Sequence, residues 1–181
     1  MSIETLKSAL GDYARDIKLN LSIVLSEEGA PELTTTQIAG IALASAYATR
    51  NANVIAAIEG EFAARLDDAT RQAAKAAAAI MAMNNVYYRY MHYVKDEELN
   101  KLPARLRMNV IGSPGIAKPD FELMSLAVSA INGCGKCMEA HTHELTGAGV
   151  TRTGIQSAVR IAAVINAAAH SAAIEELAKA S

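Results

Sequence analysis

Apolar residues recur at helical spacing along most of the chain. Ile3, Leu6, Leu10, Tyr13, Ile17 and Leu21 form one stripe, which predicts an amphipathic helix over 3–21 with Ser2 as its N-cap. Gly29-Ala30-Pro31 breaks that pattern, and the hydroxyls of Thr34 to Thr36 predict the cap of a helix over 37–48. A further helix is expected over 53–65, with Asp67 or Asp68 capping another over 69–90. Residues 91–119 hold three of the four prolines and two glycines, so they read as a connector with short helices, at most, near Glu97 and Arg107. Asp120 predicts the cap of a helix ending at Ile131. Asn132-Gly133 interrupts it, and Cys134 opens another helix reaching about Gly147. Thr151 or Thr153 starts a last long helix through Ala180. The fold class that follows is all-α.

The pattern also echoes itself. At an offset of 83 residues Leu43-Ala44 falls on Leu126-Ala127, Asn51 on Cys134, Val54 on Cys137 and Ile58 on His141. The Asp68 cap region then meets Thr151, and both stretches run into alanine-rich helices. The expected organisation is an internal duplication. Residues 1–95 form an N-terminal helical half without the cysteine motif, 96–119 a connector, and 120–181 a C-terminal half that carries it.

Composition narrows the class. Of 181 residues 37 are alanine, none is tryptophan and two are phenylalanine, which argues against a sheet protein. With 51% hydrophobic residues the chain can bury a core, which excludes disorder. A net charge of −2 offers no basic patch for nucleic acid. Residues 1–10 lack an export-type apolar run, and the most apolar stretches, 76–83 and 161–169, fall short of the ~20 residues a membrane span needs. No membrane partner is expected, and the compartment expected is a reducing cytoplasm.

The two cysteines lie three residues apart, so they cannot be the framework of a secreted disulfide scaffold. In such a compartment a C-x-x-C is catalytic or metal-binding. Cys134, Cys137 and His141 share one helical face. The helix N-terminus, Lys136 and a nearby imidazole all favour thiolate, so the pair reads as a dithiol–disulfide redox couple. On one continuous helix Glu122 would lie ~18 Å from Cys134. If the chain reverses at Asn132-Gly133, Glu122 lands opposite roughly His143 and within reach of His141. That order, Glu122, His141, Cys137, Cys134, is a proton relay in which the carboxylate orients the imidazole and the imidazole accepts a thiol proton.

Glu122, eleven intervening residues, Cys134-x-x-Cys137, three more and His141 resemble the signature of the carboxymuconolactone decarboxylase-like/AhpD superfamily. Met83-Asn84-Asn85-Val86-Tyr87-Tyr88-Arg89, Leu106-Arg107-Met108-Asn109 and Phe121-Glu122-Leu123 extend the resemblance to its AhpD members nearly end to end. The resemblance implies a duplicated helical fold assembling as a homotrimer, with no bound cofactor. It implies reduction of organic hydroperoxides with electrons from dihydrolipoyl groups, dihydrolipoamide being the small-molecule form. It further implies reduction of the peroxiredoxin AhpC, fed through a lipoyl-bearing acyltransferase and dihydrolipoamide dehydrogenase. By the same resemblance Cys137 forms the sulfenic acid, Cys134 is the proton donor and disulfide partner, and His141 and Glu122 relay the proton. Helix-terminus reasoning alone would instead make Cys134 the attacking thiol, as nearer the dipole and the surface. One departure is Lys136, where these relatives carry histidine; lysine keeps the charge but cannot shuttle a proton near neutrality.

Three competing readings bear on these residues. Zinc would need four ligands, or three and water, yet His143 points away from His141 on a helix. A carboxymuconolactone decarboxylase-like lyase, acting on a small lactone through His141 and Glu122, would need no C-x-x-C. Met81, Met83 and the tyrosines at 87, 88 and 90 read as packing, His92 and His170 as structural, and Glu139 and Glu144 as solvated.

Overall fold

Two stretches of the chain are apolar on every side, and a helix of that kind can only sit at the centre of a helical protein. The computed structural model describes residues 1–180, and every regular element among them is helical. In order these are α1 (Ile3–Ala9), α2 (Arg15–Val24), α3 (Thr35–Thr49), α4 (Ala52–Glu61), α5 (Asp68–Val94), α6 (Glu97–Lys101), α7 (Asn109–Gly112), α8 (Lys118–Ile131), α9 (Gly135–Gly147) and α10 (Arg152–Ala180). The central pair is α3, buried from Ile38 to Ala46, and α8, buried from Phe121 to Ser129. Small residues let the two approach closely: a Cβ at Gly40 would lie 2.3 Å from the Met124 methyl. The long helices α5 and α10 each pack on both central helices, and α2 lies against α10.

Several ends differ from the sequence reading, each for a local reason. The helix expected over 3–21 is broken. Leu10 is extended, a 3-10 turn occupies Asp12–Ala14, and α2 begins at Arg15. Gly11 is poor in a helix, and a Cβ there would lie 2.6 Å from the Tyr13 ring and 2.7 Å from the Glu175 carboxylate. The break takes Tyr13 off the apolar stripe: it is 61% exposed, and its hydroxyl donates to the Ser171 carbonyl at 3.2 Å. The helix expected over 53–65 stops at Glu61, where wholly buried Phe62 turns the chain inward. Asp120 does not cap α8. Its carboxylate accepts from Gln37 Nε2 at 2.8 Å, tying the first turns of α3 and α8 together, while Pro119 presets the helix start. Helix α5 runs past Tyr90 to Val94, where Lys95 takes a left-handed conformation. The stretch 161–169 lies within α10, which by length and composition alone could cross a membrane; half of that window is buried in the fold, as in a core helix.

The 83-residue offset recurs in the element starts. Thr35 of α3 corresponds to Lys118 of α8, and Ala52 of α4 to Gly135 of α9. In the third helix the offset grows by one. Asp67 caps α5 by accepting from Thr70 N–H, and Thr151 accepts from Gly154 N–H at the start of α10. Buried positions follow the same shift, Ala73, Ala74, Ala77 and Met81 matching Ser157, Ala158, Ile161 and Ile165.

Candidate active site

The cysteine pair owes its place to how α8 ends. Gly133 adopts φ +69°, its N–H donates to the Ala130 carbonyl at 3.2 Å, and the Cys134 N–H reaches back to the Ser129 carbonyl at 3.1 Å. This is the double bond of a Schellman motif, in which a left-handed glycine satisfies the last carbonyls of a helix. It reverses the chain within two residues and leaves Cys134 as the N-cap of α9. The Cys134 sulfur accepts the Cys137 N–H at 3.3 Å, and the two cysteines are joined in a disulfide. Their accessibility is opposite to the sequence expectation. Cys134 is fully buried, while Cys137 retains 6% exposure, because α5 covers the turn that carries Cys134.

That cover is a specific clamp. Asn85 of α5 donates to the Ser129 hydroxyl at 2.9 Å and accepts from the Asn132 side chain at 2.9 Å. One turn on, Arg89 donates to the Asn132 carbonyl at 2.6 Å. Three bonds from one helix thus fix the loop that aims the cysteines. The neighbouring Asn84 carbonyl faces the Cys137 sulfur at 4.0 Å, and the Asn84 side-chain oxygen, 4% exposed as a residue, has no protein donor.

The reversal also brings α8 and α9 side by side, so that Glu122 Oε2 lies 2.6 Å from His141 Nδ1. Both are nearly dry, at 4% and 8% exposure. A buried carboxyl pairs because an isolated charge there would cost several kcal/mol, about what a well-formed partner bond must offset. The other imidazole nitrogen, Nε2, lies 3.3 Å from Met81 Sδ on α5. Lys136 is exposed and its ammonium stands 5.7 Å over the Tyr88 ring. His143, His92 and His170 are exposed, Glu139 is exposed, and Glu144 pairs with Lys118 at 3.1 Å. Among the described residues no three His, Cys, Asp or Glu side chains converge on a metal position.

Residues 97–180 match the model of the carboxymuconolactone decarboxylase family. The chain is 57% identical over 173 residues to a protein named alkyl hydroperoxide reductase AhpD from Coxiella burnetii, covering 96% of this chain and 98% of that one. A Rhodospirillum centenum protein of the same name is 56% identical over 169 residues, covering 93% and 89%. One from Brucella suis is 53% identical over 169 residues, covering 93% and 95%. The chain belongs to the AhpD family.

Within this AhpD-family chain the four residues singled out by spacing form two bonded pairs on α8 and α9: Cys134 with Cys137 at the turn, and His141 with Glu122 further along, the second imidazole nitrogen facing Met81 and not a cysteine. Met81, which the sequence reads as packing, and Asn85 and Arg89, which it names only within the resemblance, contact the same two helices from α5. A signal exists for Asn85 alone. Two adjacent asparagines, both buried at 84 and 85 in an alanine-rich helix, need polar partners wherever they land.

Proposed function

We propose that this chain is an antioxidant, lipoyl-dependent alkyl hydroperoxidase that also reduces an oxidised AhpC-type peroxiredoxin. The observation that carries the reading is the Cys134–Cys137 disulfide at the start of α9, with Cys137 the less completely buried residue and the dry Glu122–His141 pair one turn away. In the reduced form His141, oriented by Glu122, takes the Cys137 thiol proton, and the thiolate attacks the outer oxygen of R–O–O–H. The O–O bond breaks, Cys137 becomes the sulfenic acid, and the alkoxide leaves as ROH with a proton from Cys134 or the relay. The Cys134 sulfur then attacks Cys137, water leaves, and the disulfide forms. A dihydrolipoyl group, held by a lipoyl-bearing acyltransferase and recharged by dihydrolipoamide dehydrogenase, reduces it back. The balance is ROOH plus two lipoyl thiols giving ROH, water and lipoyl disulfide. The same dithiol passes its electrons to a disulfide of the peroxiredoxin.

The working assembly proposed is a homotrimer in a reducing cytoplasm. Val86, Tyr90, Tyr93 and Val94, between 43% and 71% exposed, form a stripe at helical spacing on α5 that suits a subunit contact. The matching caps and buried positions of α3–α5 and α8–α10 support the duplication, with 1–95 as the half without the cysteine motif. A lyase acting on a lactone would leave the dithiol without a task.

Anaerobic thiol counting tests the reading. Protein reduced with dihydrolipoamide, freed of reductant and given cumene hydroperoxide should lose both thiols per alcohol formed. Unchanged thiols would refute it. In Cys134→Ser a dimedone adduct is expected on Cys137; an adduct in Cys137→Ser instead would reverse the two roles.

A further inference from the structure

We propose that the cleft beside the cysteine turn, between the end of α3, the middle of α5 and the end of α8, is a binding site for a small organic carboxylate. The inference is independent of the peroxidase reading. The cleft holds about 360 Å³, near the lower end of what small-molecule sites enclose. Two arginines line it, Arg50 from the turn after α3 and Arg89 from α5, together with Asn85 and Asn132. Among the described residues the Arg50 guanidinium has no hydrogen-bond or ion-pair partner. Arg89 spends one N–H on the Asn132 carbonyl at 2.6 Å, and a guanidinium carries five. The cleft therefore gathers cationic donors that the fold itself leaves unused.

Charge and shape then choose the ligand. No Asp or Glu lines the cleft. Two nearby acids are engaged elsewhere: Glu59 accepts from the Tyr47 hydroxyl at 2.6 Å, and Glu176 from the Asn53 side chain at 2.6 Å. Cations without counter-charge in a concave surface attract an anion, and the guanidinium fork matches a carboxylate through two parallel bonds. The remaining walls include Ala48, Ala78, Ala82 and Val86, which offer nothing to a wholly polar anion and suit a short aliphatic tail. A carboxylate head on such a tail satisfies both parts. The backbone at Arg50 points the same way. It is held at φ +60°, a conformation that favours glycine, and the matching turn of the second half has Gly133 there. Strain of this kind at a side-chain-bearing residue marks functional positions, and here it places a free guanidinium at the cleft. Asn132 belongs to both cleft and cysteine turn, so occupancy reaches the residues next to Cys134.

The test is calorimetric titration of the full-length protein, in its disulfide form and at low ionic strength, with octanoate. Octanamide supplies the tail without the charge, and inorganic phosphate the charge without the tail. One saturable site per chain is expected for octanoate, with octanamide and phosphate each weaker by about tenfold or more. Arg50→Gly removes the guanidinium and relaxes the backbone. It should weaken octanoate by about tenfold or more while raising the urea midpoint, a pairing that damage to the fold would not give. Arg50→Lys keeps a charge without the fork and should fall between the two. The side-chain amide signals of Asn85 and Asn132 should move with octanoate in the wild type and stay in place in Arg50→Gly. Equal octanoate affinity in wild type and Arg50→Gly, or no binding to the wild type, would overturn the proposal. Octanamide or phosphate binding as tightly as octanoate would overturn it too, since the site would then not read a carboxylate on an apolar tail.

Discussion

Along α8 and α9 the chain places Glu122, Cys134, Cys137 and His141; the matching positions of α3 and α4 hold Ala39, Asn51, Val54 and Ile58. The third helices differ alike. Met81 and Asn85 of α5 serve the cysteine site, whereas their counterparts on α10, Ile165 and Ala169, are buried and apolar. Yet the frames agree. Asn51 caps α4 by accepting the Val54 N–H at 3.1 Å, and the Cys134 sulfur accepts the Cys137 N–H at 3.3 Å in the same role. Both turns pass through a left-handed residue, Arg50 at φ +60° and Gly133 at φ +69°. The helix starts, caps and reversals are therefore properties of the backbone pattern and do not require the chemical residues. Asparagine is a strong N-cap and sulfur a weak acceptor, so cysteine at this position gives up capping strength for a sulfur that forms the disulfide with Cys137.

The largest contrast lies in the pair positions. His141→Asn and Glu122→Gln should each lower kcat/KM for hydroperoxide by about 10²–10⁴-fold if the imidazole moves a proton in the reaction. At the matching site Ile58→Val should leave turnover intact and cost ~0.5–1.5 kcal/mol in urea unfolding. A tenfold or greater loss of activity in Ile58→Val would break the division between the two regions.

A smaller effect is expected at the turns. Arg50 holds a conformation that costs a side-chain-bearing residue energy, so Arg50→Gly should stabilise by about 0.5–1 kcal/mol. Gly133→Ala puts a Cβ into the same conformation and should destabilise by about 1 kcal/mol, measured by the same unfolding curves. Signs the other way would mean that the two turns carry different strain.

The smallest contrast is a pH dependence confined to the first region. Burial, together with the hydrogen bond Tyr47 donates to Glu59 at 2.6 Å, raises the Tyr47 phenol above its ordinary value; Ala130 holds the matching position. The folded protein thus binds this proton more tightly than the unfolded chain. Its contribution to stability is full below pH ~10 and is lost as pH rises through the higher folded value. Tyr47→Phe should lessen the alkaline fall in the urea midpoint, and an unchanged fall would assign it elsewhere.

Much of this was legible in the chain because it is local. Helix caps, the Asn132-Gly133 reversal and the i, i+3 and i, i+4 spacings of Cys134, Cys137 and His141 depend on neighbouring residues, and the reversal brings Glu122 to the imidazole. Met81 was not legible. It lies 60 residues from His141, and a methionine at helical spacing has the same pattern whether it fills a core or faces an imidazole. The burial of Cys134 was missed for a related reason: the helix-end argument sees α9 alone, while the cover comes from Asn85 and Arg89 on α5. The early break comes at Gly11, a poor helix former that the apolar stripe over 3–21 runs straight through.

The division between a chemical and a silent region is tested most directly by anaerobic consumption of cumene hydroperoxide with dihydrolipoamide as reductant, in wild type, Cys137→Ser and Val54→Ala. Background rates are expected for Cys137→Ser and wild-type rates for folded Val54→Ala. Equal turnover by wild type and Cys137→Ser would contradict the account.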